Sequence, residues 1–165
     1  MRRTALVTLH SLLVTVSGCS GPGYVERERP PSGLRAWGGV EAGPVETRRS
    51  GGGRDAAPFG AELVRAVGER IAAARLFPGG APVLRLKGIV AAYDPGPAAG
   101  RSLSGAEGNP TTSVRIEWTL EDAGDGRKVA RFMTEENVIL SFDVPPEALW
   151  YRVADRVVEF LRDHY

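Results

Sequence analysis

The sequence predicts an α+β fold, an α/β two-layer sandwich with a mixed or antiparallel sheet of about four strands and two helices on one face, in the order β-α-β-β-β-α. Three observations predict it. From Pro58 to Phe77, the residues Phe59, Leu63, Val67, Ile71 and Ala74 fall three or four apart, on one face of a helix. Near the C-terminus Trp150, Val153, Ala154, Val157 and Leu161 repeat that spacing, with Phe160 beside them. Between the two, Ser113 to Leu120 alternates strictly: Val114, Ile116, Trp118 and Leu120 against Arg115, Glu117 and Thr119, the period of a strand with one buried face. Two one-sided helices and a one-sided sheet hide their apolar stripes most simply against each other.

The chain starts with a short cationic stretch, Met1-Arg2-Arg3, followed by a mostly apolar run from Ala5 to Val16. A run of about a dozen residues suits the core of an export signal and falls short of the about 20 needed to span a bilayer. Val16-Ser17-Gly18-Cys19 then resembles the lipobox of bacterial lipoproteins: a branched apolar residue, two small residues, and a cysteine. A thiolate is the strong nucleophile that acyl transfer requires. The resemblance implies a signal peptide over residues 1–18, palmitate-type chains on Cys19, and a membrane as the first partner. Several chains on one sulfur make release negligible, since each buried methylene contributes about 0.8 kcal/mol. Ser20, not aspartate, follows the cysteine, which resembles the outer-membrane sorting signal and implies a place in the cell envelope facing the periplasm of a Gram-negative host. Two other readings are weaker. A core helix with a buried thiol leaves the order of the four parts unexplained. A twin-arginine signal lacks its apolar pair, which is replaced by Thr4 and Ala5.

Residues 19–32 read as a lipidated flexible tether, punctuated by Gly21, Pro22, Gly23, Pro30 and Pro31 around a charged stretch. Residues 33–165 read as a single domain. Leu34 to Glu46 is a first strand broken near Gly38-Gly39, because glycine weakens a strand interior. Arg48 to Arg54 is a glycine-rich loop that lacks the lysine of a phosphate-cradling loop. After the first helix, stopped by Pro78-Gly79-Gly80, Val83 to Tyr93 is a strand with Leu84, Leu86 and Val90 on one face. Asp94 to Pro110 is a loop. The strand 113–120 turns at Glu121 to Gly126 into a partner running from Lys128 to about Glu135, with Asp125-Gly126 as the hairpin signal. Val138 to Phe142 is a last short strand. Pro145-Pro146 opens a helix over Glu147 to Asp163, with Asp143 or a neighbour as its cap.

With 21 basic and 20 acidic side chains the net charge of +1 supplies no general attraction to nucleic acid, and no nucleic-acid partner is expected. Losing residues 1–18 removes Arg2 and Arg3 and no acid, leaving 19 basic and 20 acidic side chains, a net −1. The single cysteine excludes an intrachain disulfide. One histidine, His164, remains outside the signal, which argues against a zinc site or a histidine-based triad. It reads as a solvated residue at a helix end. Glu121, Asp122 and Asp125 read as a solvated turn in preference to a calcium loop, and Glu135-Glu136 as a solvated strand end. No metal, cofactor or catalytic residue is expected. Arg101, in the Gly- and Pro-rich loop from Asp94 to Pro110, is the one candidate for contact with an anion or a partner. Trp118 and Trp150 are core candidates, and Trp37 is the tryptophan with a claim to an exposed partner patch.

Leu86-Lys87-Gly88-Ile89-Val90, then Asp94-Pro95-Gly96, Arg101, Gly105 and Gly108, then Leu120-Glu121-Asp122-Ala123-Gly124-Asp125-Gly126 resemble the DUF4410 lipoproteins over residues 57–165, and more distantly the α/β domains of curli-secretion and penicillin-binding-protein-activator lipoproteins. That resemblance implies an exported α/β domain and supplies no catalytic residues. The expected function is a non-enzymatic interaction module that docks on an envelope protein. Two alternatives stay open: a carrier of a lipid or small apolar ligand, and an envelope hydrolase.

Overall fold

The computed structural model describes residues 23–48, 54–94, 111–139 and 147–165. Its elements are β1 (Tyr24–Glu28), β2 (Gly39–Arg48), β3 (Arg54–Ala56), α1 (Gly60–Ala74), β4 (Val83–Asp94), β5 (Thr111–Asp122), β6 (Lys128–Ile139) and α2 (Glu147–His164). The strands form one sheet in the spatial order β1-β6-β5-β4-β2-β3. Only β2 and β4 pair in parallel, joined through α1; the other neighbours are antiparallel. The α+β class and the mixed sheet therefore stand, with six strands where about four were expected.

The β4-β5-β6 meander follows the alternation in the sequence. Leu84, Leu86 and Val90 on β4, Val114, Ile116, Trp118 and Leu120 on β5, and Val129 and Phe132 on β6 are buried toward the helices. Strand β6 runs unbroken to Ile139, so the last short strand expected at Val138 to Phe142 is the end of β6 as far as the described residues go. A bulge between Val90 and Ala92 shifts the phase of β4 by one residue. Tyr93 thereby lands on the helix side, the face that strict alternation would have given Ala92.

Gly88 sits opposite Trp118, and a methyl group built on it would lie 2.8 Å from the indole ring and 3.1 Å from Val45. The ring lies over the glycine and fills the space of the missing side chain. Its Nε1–H donates to Thr134 Oγ1 at 2.9 Å in the buried interior, so neither polar atom is stranded.

Helix α1 is shorter than the 58–77 span its periodicity suggests. Arg75 adopts a left-handed conformation (φ 50°) that ends the helix three residues before Pro78. The following Gly79-Gly80 turn packs on Gly38: Gly79 N–H donates to the Gly38 carbonyl at 2.8 Å, and a Cβ on Gly38 would meet the Gly80 carbonyl oxygen. That contact sets where β2 can begin, so Leu34 to Trp37 form a turn that buries Leu34 and Trp37, and not the first half of a strand. Within β2 the break falls at Gly43-Pro44, where the register with β4 slips between Ala42 and Val45.

Helices α1 and α2 lie side by side on the same face of the sheet, closing the core with Leu63, Val67, Val153, Val157, Phe160 and Leu161. Tyr151 bonds them on the outer side, donating to Glu69 at 2.9 Å and accepting from Arg65 at 3.2 Å. The sheet's other face carries cross-strand ion pairs, among them Arg85–Glu41, Lys87–Glu121, Arg115–Glu135 and Arg131–Glu28. These are partly exposed and individually worth well under about 1 kcal/mol, but they neutralise the cations on that face.

Candidate functional site at the N-terminal strand

The segment read as a flexible tether contains strand β1, which starts at Tyr24. Strand β1 pairs antiparallel with β6, Tyr24 opposite Thr134 and Glu26 opposite Phe132. The reading of residues 19–32 as one continuous tether is corrected at this point. Its Gly and Pro residues flank a strand whose partners are more than 100 positions away, so local composition hides it.

Two side chains of β1 point toward α2. The Tyr24 ring stands edge-on to Phe160, with centroids 5.1 Å apart, and edge-on to Phe132. Its hydroxyl donates to Asp163 Oδ2 at 2.8 Å. Burial first, and then this bond to a carboxylate, pushes the phenol above its ordinary range. Glu26 lies 2.8 Å from His164 Nε2, and His164 Nδ1 lies 2.8 Å from the Phe160 carbonyl. The hydrogen bond from His164, then that from Arg29, holds the Glu26 carboxyl below the usual carboxylate value.

A second clamp lies where β1 begins. Glu136, on the inward face of β6, is 7% exposed, and Arg156 of α2 meets it at 2.5 Å. Arg156 also reaches Glu159 at 3.1 Å, and Glu159 accepts from the Gly23 backbone N–H at 3.3 Å. The Glu136 bond is the main reason that the guanidinium is held above its ordinary pKa. A Cβ on Gly23 would fall 2.2 Å from Arg156 Cδ, so glycine is what lets the chain pass over this side chain. Shallow hollows of about 290 Å³ and 380 Å³ flank β1 and are lined largely by these same polar residues.

Several sequence expectations change here. His164 is not a solvated helix end: its side chain is 8% exposed and both ring nitrogens are engaged. One nitrogen faces a backbone carbonyl and the other a carboxylate, so the ring is held from both sides. Glu136 is not part of a solvated strand end but a buried, paired charge. Trp37 is not an exposed partner patch; it is 6% exposed, packed in the core, and its indole N–H finds no protein acceptor. Asp122 and Asp125 accept from backbone N–H groups of Gly124 and Arg127, and Glu121 pairs with Lys87 at 2.6 Å, so the turn acids serve the turn. No group of three or more metal-ligating side chains occurs among the described residues. Cys19 and Arg101 lie outside the described residues.

The sequence held one signal for β1 that composition masked. Tyr24 and Glu26 alternate with Val25 and Arg27, the period of a strand, but with an acid on the inner side, and a bulge then carries Glu28 to the other face beside Arg131. The partners of Tyr24 and Glu26, namely Phe160, Asp163 and His164, lie on the last two turns of α2.

No family model matches the chain, and no curated protein matches it. Solved structures of similar fold do. A PelC dodecamer from Paraburkholderia phytofirmans aligns with a TM-score of 0.56 at 11% identity over 84% of this chain and 97% of that one. The L103M variant of the same dodecamer aligns at 0.54 and 14% identity, over 84% and 95%. A lipoprotein of unassigned role from Caulobacter crescentus CB15 aligns more loosely, at 0.44 and 17% identity over 74% and 88%. At such identities the likeness establishes a shared fold: this chain has the α+β fold of the PelC subunit.

Proposed function

We propose that the chain is an exported lipoprotein of the cell envelope, anchored by acyl chains on Cys19, whose domain is a non-enzymatic interaction module held against the membrane. In a Gram-negative host the serine after Cys19 directs it to the outer membrane, facing the periplasm. The observation that carries the reading is β1. It takes up its place in the sheet at Tyr24 and is clamped to α2 by Glu26–His164, Tyr24–Asp163 and Glu136–Arg156–Glu159. Five residues from Cys19 to Tyr24 span at most about 17 Å. The connection from Cys19 to the sheet is thus short, and the domain cannot range far from its anchor. A carrier that shuttles cargo across the envelope needs the opposite, a long leash. The polar network at the site has its donors and acceptors matched to each other, which suits holding a strand and not turning over a substrate.

The partner that the fold likeness supports is another copy of the same chain, since the PelC relatives are dodecamers; Arg101 is the side chain outside the described residues proposed to meet a partner or an anion. Cells expressing the native chain and Cys19→Ser, labelled with palmitate and fractionated, test the anchor. The native chain is expected to take up label and sediment with membrane, and the serine variant to do neither. Cross-linking of the anchored form is expected to give a ladder of self-adducts. A chain that stays unlabelled in the soluble fraction refutes the reading.

A further inference from the structure

We infer that the sheet end bearing Phe59, Tyr93 and Trp150 rests on the lipid headgroups, with Tyr93 as its contact. The inference rests on the Cys19 anchor proposed above and adds which end of the domain faces the bilayer and what touches it.

The strand register gives the geometry. Tyr24 pairs with Thr134, Thr134 with Ile116, and Ile116 with Val90, so Tyr24 is level with Val90. Because β1 is antiparallel to β6, it enters the sheet from the end where β4 and β6 finish and β5 begins. Tyr93 is at that end. It pairs with Val114, two residues beyond Ile116, which places it about 7 Å farther toward that end than Tyr24, at about 3.4 Å per residue. The three strand spacings from β1 to β4 add about 14 Å sideways. The chain from Tyr24 to Cys19 reaches at most about 17 Å. Acyl chains on Cys19 therefore hold this end of the sheet near the bilayer surface, while the β5-β6 turn lies at the other end.

The chemistry at that end fits. Tyr93 and Val25 are the large apolar residues left exposed among the described residues, at 41% and 48%, and Val25 is on β1 itself. Tyr93 is set on the helix side by the β4 bulge and packs on Phe59 at 4.7 Å, which in turn stacks on Trp150 at 4.4 Å. Trp150 is buried and backs the pair. A tyrosine presenting an apolar ring and a wet hydroxyl, held rigid by two aromatics, suits the headgroup layer, where such rings are enriched.

The test uses the full acylated chain in vesicles of phosphatidylethanolamine and phosphatidylglycerol. Acylation occupies the only native cysteine, so a single introduced thiol takes a fluorophore: Ala92→Cys beside Tyr93, or Lys128→Cys at the far end. Lipids carrying a nitroxide near the headgroup are expected to quench the Ala92 probe several-fold more than the Lys128 probe. Adding Tyr93→Ser is expected to reduce that difference. Equal quenching at both positions, with Cys19 acylated by mass and the protein on the vesicles, overturns the inference and leaves the anchor standing. A probe at Ala92 shielded from aqueous iodide but not quenched by lipid also overturns it, since a protein then covers that end. Unmodified Cys19 with protein free of vesicles overturns the anchor and this inference together.

Discussion

Replacing Gly88 by alanine distinguishes local preference from packing, because the two predict opposite signs. In a strand interior, glycine is less stable than alanine by about 0.5–1 kcal/mol, so propensity alone makes Gly88→Ala stabilising. The structure says otherwise. The new methyl group would stand 2.8 Å from Trp118 Cζ3, 3.1 Å from Cε3 and 3.1 Å from a Val45 methyl. The indole cannot swing away freely, because its Nε1–H is tied to Thr134 and Trp118 is 2% exposed. Overfilling a packed core costs about 1–3 kcal/mol. Set against the propensity gain, a net destabilisation of about 1–2 kcal/mol is expected. Urea unfolding followed by tryptophan fluorescence measures it, with an unchanged m-value showing that the effect is on the folded state. The same substitution in a Trp118→Leu background, where the ring is absent, is expected to be neutral or stabilising. Gly88→Ala that stabilises the native protein, or that costs the same with and without Trp118, would refute the account of why glycine stands there.

Two further predictions concern β1. Arg156→Ala leaves the Glu136 carboxylate buried without its cation; breaking a fully buried pair costs about 3–5 kcal/mol, and the partial exposure of Arg156 reduces this to about 2 kcal/mol. Hydrogen exchange is expected to show the amides of Tyr24–Glu28 losing protection before those of β4 and β5. The Glu26 carboxyl titrates below its unfolded value of 4.5, so its contribution to holding β1 is complete above that pH and is lost as the pH falls toward its lower folded value. The His164 ring resonances, followed by NMR through that acid range, are expected to shift as β1 loosens, and Glu26→Gln is expected to abolish that dependence.

The helices and the meander were legible in the sequence because their signals are local and one-sided. Leu63, Val67 and Ile71, or Val114 through Leu120, declare a buried face without reference to anything distant. Gly88 was visible as part of a short glycine-led pattern, but its reason, the ring of Trp118 across the ladder, was not. What could not be read depends on partners far along the chain. Strand β1 carries an acid, Glu26, on its inner side, and that side chain is met by His164 of α2. Glu136 reads as a surface acid until Arg156 is placed over it. His164 reads as a fraying terminus until Glu26 and Phe160 take both its nitrogens. Strand β3, three exposed residues at the sheet edge, has no apolar period to announce it. Nothing near Trp37 in sequence shows that Gly38 packs under the Gly79-Gly80 turn while the ring beside it is buried in the core.

The remoteness of β1 from its partners also sets an order of events. Gly23 and Glu159, which bond each other, are 136 positions apart. A chain emerging from its N-terminus can form α1 and the β4-β5-β6 meander, whose edge β6 pairs with β1, before the α2 partners of Gly23, Tyr24 and Glu26 exist. Contacts of such long sequence separation form late, because they must close the largest loop. Strand β1 thus gains its side-chain partners only when the final helix has appeared. When that helix docks, it locks the outermost strand in a single step.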